Sequence, residues 1–143
     1  MPVAKKSVSF DPKIMEQVIE RGAVSAVINR DLERLYSLYR RSIVKLDFSV
    51  EELMLIVDCL NGSLMDTVAV SLLWAQIEDG IAIERLDEKW KVDGKVLVDK
   101  LKALKVFDCM AIVDAAERFW QKSAEGDDVR EVVKQCFLVK TET

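Results

Sequence analysis

Three observations predict a mainly α-helical chain. Both prolines, Pro2 and Pro12, fall in the first dozen residues, so residues 13–143 contain none. Glycine contributes only 5 of the 143 residues, too few for a turn-rich β protein. Apolar residues also recur at three- and four-residue spacing between helix-capping signals along most of the chain.

Residues 4–10 are the exception. Ser7 and Ser9 alternate with Val8 and Phe10, the period-two pattern of a short strand. Asp11-Pro12 ends it and starts a helix, with Asp at the N-cap and Pro at the first helical position. Ile14, Met15, Val18 and Ile19 make one face of that helix, and Arg21-Gly22 stops it. Ser25 is the best N-cap for a second helix, whose stripe Val27/Ile28, Leu32, Leu35 and Tyr39 carries it to about Arg41. The connector Ser42–Phe48 is the expected boundary, dividing the chain into residues 1–46 and 47–143.

The second part reads as a bundle of about five helices. Ser49 and Glu52 form a capping box, each satisfying the other's free amide, ahead of Leu53, Ile56, Val57 and Leu60, with a stop at Asn61-Gly62. A longer helix is expected from Asp66 or Thr67 to about Glu84, apolar on nearly all sides at Val68–Ala75 and therefore central. Leu86–Val92, carrying Trp90, reads as a charged connection. Asp93 caps a helix through Leu97, Val98, Leu101 and Leu104, and Asp108 opens another with Cys109, Ile112, Val113, Ala116, Phe119 and Trp120 on one face. Glu125-Gly126-Asp127 is a turn, and Val129, Val132, Val133, Cys136 and Phe137 complete the final helix. There is no internal repeat.

Composition narrows the chemistry. The chain has no histidine, which removes the commonest general base and the commonest metal ligand together. Cys59, Cys109 and Cys136 are far apart with no CxxC, so they read as buried thiols in a reducing cytoplasm. No Gly-rich phosphate loop and no nucleophile–base pairing occurs, and the expectation is a non-enzyme without cofactor or metal. No apolar run approaches the ~20 residues that span a bilayer, so a cytoplasmic protein without membrane contact is expected. The net charge of −4 hides an asymmetry: residues 1–46 hold nine Lys/Arg against five acids, net +4, and the remainder is net −8. Such halves suggest a basic binding module on an acidic body.

The order of short strand with outward hydroxyl residues, Pro-started helix, glycine, and a helix containing V-I-N-R-D-L resembles the ribbon-helix-helix DNA-binding family over about residues 4–41. The resemblance implies a homodimer in which two strands pair antiparallel and enter the major groove, over a shared four-helix core. By position it assigns Lys5, Ser7 and Ser9 to base edges, where a lysine donates to guanine and a serine hydroxyl donates or accepts. It assigns Lys6, Lys13 and Ser25 to phosphates, Ser25 at a helix start whose amides and dipole attract an anion. Val8, Phe10, Ile14, Val18, Ile28, Leu32 and Leu35 become the dimer core. The interhelix loop, Gly22-Ala-Val-Ser25, is shorter than the family's usual one, which leaves the phosphate-clamp register open by about a residue.

What the resemblance implies is a transcriptional regulator, a repressor by operator occlusion, acting on double-stranded DNA as a homodimer or tetramer. The second reading is an antitoxin-like or adaptor protein whose helical C-terminal domain binds a partner protein. In that domain Glu78, Asp79, Glu84, Asp87 and Glu88, interleaved with Arg85 and Lys89, read as a solvated face rather than a metal site. Trp74, Trp90 and Trp120 could line a small-molecule pocket, although core packing is the expected use of at least two of them.

Overall fold

The computed structural model describes residues 11–20, 24–61, 70–122 and 128–139, with side chains at 18–20 and 24 excepted. The chain is mainly helical, and the described residues form eight α-helices and no strand. The expected strand at residues 4–10 lies outside the described residues. By internal packing the chain divides into two units, Met1–Ser37 and Leu38–Thr143. This division falls inside the second helix, whereas the sequence reading set it after residue 46.

In the first unit, α1 (Pro12–Glu20) begins as expected. The Lys13 amide donates to Asp11 Oδ1 at 2.8 Å and the Met15 amide to the Asp11 carbonyl at 3.0 Å. Pro12, which has no amide hydrogen, occupies a position that needs none. The second helix, α2 (Val24–Lys45), is 22 residues long and overruns the expected end at Arg41 by four. The reason is non-local: Ser42 and Ile43 are buried in the second unit, and the Ser42 hydroxyl donates to Asp108, 66 residues away.

The second unit is built around α3 (Val50–Cys59). The Ser49 capping box is present in both directions: Glu52 N–H donates to Ser49 Oγ at 3.1 Å and Ser49 N–H to Glu52 Oε1 at 2.8 Å. Every residue from Glu52 to Val57 is buried, and α3 packs against α4 (Leu73–Glu84), α5 (Leu86–Trp90), α7 (Val106–Lys122) and α8 (Val129–Cys136). The sequence reading placed α4 at the centre, and this is corrected. A 3-10 turn at Val70–Leu72 precedes α4, so the α-helix starts at Leu73, and only Leu73 and Ile77 are buried on it. The acidic residues Glu78, Asp79, Glu84 and Glu88 are exposed, as a solvated face requires.

The bundle has six α-helices among the described residues rather than about five, because Leu86–Trp90 is a helix and not a connection. It is bracketed by two non-glycine residues in the left-handed region, Arg85 at φ 52° and Lys91 at φ 56°. The sixth helix, α6 (Gly94–Lys102), is capped by Asp93, which accepts from the Val96 amide at 3.2 Å. Asp108 lies in the first turn of α7, which begins two residues before it. Asp128 caps α8, accepting from the Arg130 amide at 3.0 Å.

Leu55, Ile56, Leu60, Leu97, Leu101 and Ile112 form the fully enclosed heart of the bundle. One contact shows how closely it is filled. A Cβ on Gly80 would lie 2.7 Å from Cys59 Sγ and 3.2 Å from Leu86 Cδ1, so at this point α4 comes this close to Cys59 of α3 because it carries no side chain. All three cysteines are free and buried. Burial pushes the Cys59 thiol up to about 11, helped by the carboxylates of Glu84, Asp58 and Asp79. Burial also raises the thiols of Cys109 and Cys136, so all three are held as inert neutral groups.

Candidate functional site

The candidate interface lies on α1 and the first half of α2. Of the residues assigned to DNA, Lys5, Lys6, Ser7 and Ser9 lie outside the described residues, as do Val8 and Phe10 of the dimer core. Lys13 is described: it sits in the first turn of α1, exposed. Ser25 is exposed too, and it stands within the first turn of α2, one residue after Val24, rather than ahead of the helix. Its backbone amide is therefore among the first four of the helix, which have no acceptor inside it.

The core positions divide. Ile14 is 52% exposed and Leu32 41% exposed, while Ile28 and Leu35 are half-buried. Val18 lies on α1, and its side chain is outside the described ones. Val27, one step from Ile28 and 100° around the helix, is buried in its place. An amphipathic helix normally hides such a stripe; here Ile14 and Leu32 remain open to solvent.

Two cations were missed by the sequence reading. Arg30 and Arg34 are exposed on α2, four residues apart and so on one side of it. Arg30 Nε approaches Asp31 only to 4.0 Å, a loose pairing that leaves most of its charge to the surroundings. Their spacing was the available signal, hidden among the acids Asp31 and Glu33. With Lys13 they give this unit three exposed basic side chains among its described residues.

Among the described residues no group of three or more His, Cys, Asp or Glu could hold a metal ion, and no helix is long and apolar enough to cross a membrane. The three tryptophans are half-buried; Trp90 and Trp120 share one small pocket of about 100 Å³ with Met54, Val57 and Phe119, and Trp74 is not part of its lining. Trp120 Nε1 donates to the Val57 carbonyl at 2.9 Å, Trp90 Nε1 donates to Asp58 Oδ2 at 2.9 Å, and Trp74 lies 4.6 Å beneath the Lys102 ammonium. Asp58 Oδ2 also accepts from Lys89 Nζ at 2.7 Å. Each indole pins one helix to another.

Comparison with protein-family models, curated proteins and solved structures finds no match for the chain.

Proposed function

We propose that the chain is a sequence-specific, double-stranded-DNA-binding transcriptional regulator of the ribbon-helix-helix kind, acting as a homodimer or higher oligomer. The observation that carries this reading is the open apolar stripe on α1 and α2, with Ile14 and Leu32 exposed in a single chain. A module of one short helix and part of a long one cannot close a core alone, and a second copy would cover those side chains. Exposed Lys13, Arg30, Arg34 and the amide end of α2 near Ser25 support a phosphate-facing role. The strand with Lys5, Ser7 and Ser9 would then read base edges, and occupation of the operator would repress transcription.

The test is selection from a random duplex library, followed by a salt titration of the selected sequence. Lys13→Ala should weaken binding to all sequences and reduce the salt slope by about one unit. Ser7→Ala and Ser9→Ala should change the sequence selected. If no sequence is enriched and binding shows no salt dependence, the proposal is wrong.

One observation favours the second reading, a partner-binding adaptor or antitoxin-like protein. Ile83, on α4, is 81% exposed, far more than any other large apolar side chain described. Copurification of a stoichiometric partner that Ile83→Asp releases would support it. A clean homo-oligomer would count against it.

A further inference from the structure

Between the last turn of α2, the connector after it and the α6–α7 turn, the bundle holds a cleft of about 370 Å³. Leu46, Phe48, Ala103 and Leu104 make its apolar lining. Lys45 and Lys100 bring two positive charges to it, and Asp47 and Asp108 two negative ones. The volume lies near the small end of the range for ligand pockets, about 300–1,000 Å³, which suits a molecule on the scale of an amino acid rather than a nucleotide.

Two of the charged groups are already held in place. Ser42, only 2% exposed, donates its hydroxyl to Asp108 Oδ1. A carboxylate has several lone-pair sites, so Asp108 keeps acceptor capacity after taking one hydroxyl. Lys100 Nζ donates to Glu52 Oε1 at 2.9 Å and to the Asp47 carbonyl at 3.0 Å. An ammonium has three donors, so one remains for a ligand. The same ammonium stands 5.6 Å from the Phe48 ring centroid, joining the polar side of the cleft to its apolar lining.

We propose that this cleft binds a small zwitterion with an apolar side chain, of which an apolar α-amino acid is the simplest. The ligand ammonium meets Asp108, its carboxylate meets Lys100 and Lys45, and its side chain lies on Phe48 and Leu104. The balance of charge selects for both ends. A ligand bearing only the carboxylate would cover Asp108 without a partner for it, and one bearing only the ammonium would leave Lys45 without one, Lys100 being already paired with Glu52; both lose affinity by leaving a charge dehydrated and unpaired. The site goes beyond the DNA-binding reading and does not depend on it, because every lining residue belongs to the Leu38–Thr143 unit.

The experiment is calorimetric titration of the full chain with L-leucine and L-phenylalanine. Beside them run their deaminated analogues, 4-methylpentanoate and 3-phenylpropanoate, and their decarboxylated ones, isopentylamine and 2-phenylethylamine. At least one amino acid should bind, with its two analogues at least about tenfold weaker, the loss expected from one charged contact. Ala103→Trp, which fills the cleft from an exposed turn position, should abolish binding. Asp108→Asn, which keeps an acceptor for Ser42, should weaken the amino acid about tenfold and strengthen the deaminated analogue, which no longer covers an unpaired carboxylate. Circular dichroism on both variants separates loss of the site from loss of the fold, and where Ala103→Trp does not fold, Asp108→Asn decides. Absence of binding at millimolar ligand overturns the proposal. So does equal affinity for an amino acid and its analogues, or undiminished binding of the amino acid by the folded variants.

Discussion

The two units handle the same kind of sequence in opposite ways. Both are built from amphipathic helices, yet α3 buries an unbroken run from Glu52 to Val57 while α1 and α2 leave Ile14 and Leu32 open. The bundle has six helices to lay against one another, and α3 finds its cover there, although Ile83 on α4 and Val106 on α7 stay exposed. The N-terminal unit has one short helix and part of a long one among its described residues, and its stripe stays partly open. A periodic apolar pattern therefore identifies a helix equally well in both regions, but whether one chain can satisfy it depends on how many helices stand nearby.

The largest expected effect would break this contrast most directly. Ile112→Ala, at a fully buried position of α7, should cost about 2–5 kcal/mol in urea unfolding, independent of protein concentration. Leu32→Ala should leave the bundle's transition in place and raise the concentration at which the chain dissociates, as measured by sedimentation equilibrium. If Leu32→Ala instead lowers bundle stability as far as Ile112→Ala does, the two regions do not differ in the way described.

A smaller effect tests how tightly the bundle is closed. Gly80→Ala places a methyl group inside the contact with Cys59 and should cost about 1–3 kcal/mol. Cys59→Ala in the same chain should recover part of that loss, and a thermal-unfolding double-mutant cycle reads the coupling. Removing the cap of α3 comes next, with Ser49→Ala expected to cost about 1 kcal/mol by chemical denaturation.

The smallest change is at the bundle surface. Arg130 Nη2 donates to Glu51 Oε1 at 2.7 Å and holds that carboxyl below its ordinary value of 4.5. A group depressed in the folded state contributes stability above its unfolded pKa and loses it as pH falls through the folded one. Arg130→Ala should therefore destabilise slightly at pH 7, within the 0–1 kcal/mol range typical of exposed pairs, and the difference from wild type should shrink as pH falls below 4.5 and vanish once Glu51 is protonated in the folded state. Urea midpoints taken across that pH range check it.

Local signals carried much of the helical architecture. The Asp11-Pro12 start, the Ser49–Glu52 box and the Asp93 cap are each written within four consecutive residues, and each is present. The places where sequence and structure part are those set by distant residues or by an unusual backbone. The end of α2 depends on Asp108, and nothing near Arg41 announces it. The boundaries of α5 fall at Arg85 and Lys91, where a left-handed backbone would ordinarily be marked by glycine. Val68–Ala75 looked central because it is uniformly apolar, yet uniform apolarity does not reveal which helix the others surround. Of the candidate interface, the sequence reading named Lys13 and Ser25 and passed over Arg30 and Arg34, whose exposure on one side of α2 shows only in the structure. The cleft was not legible at all, since residues 42–48 and 100–108 meet only in the folded bundle.

The placement of the indoles has an optical consequence. Trp74, Trp90 and Trp120 all lie in the Leu38–Thr143 unit, each fixed against a different partner, and the other unit has no tryptophan. Excitation at the red edge of the indole band therefore illuminates the bundle alone, with no reporter in the N-terminal unit. A single tryptophan introduced on α1 would give that unit its own emission, and one sample could then show whether the two halves lose their structure together or in turn.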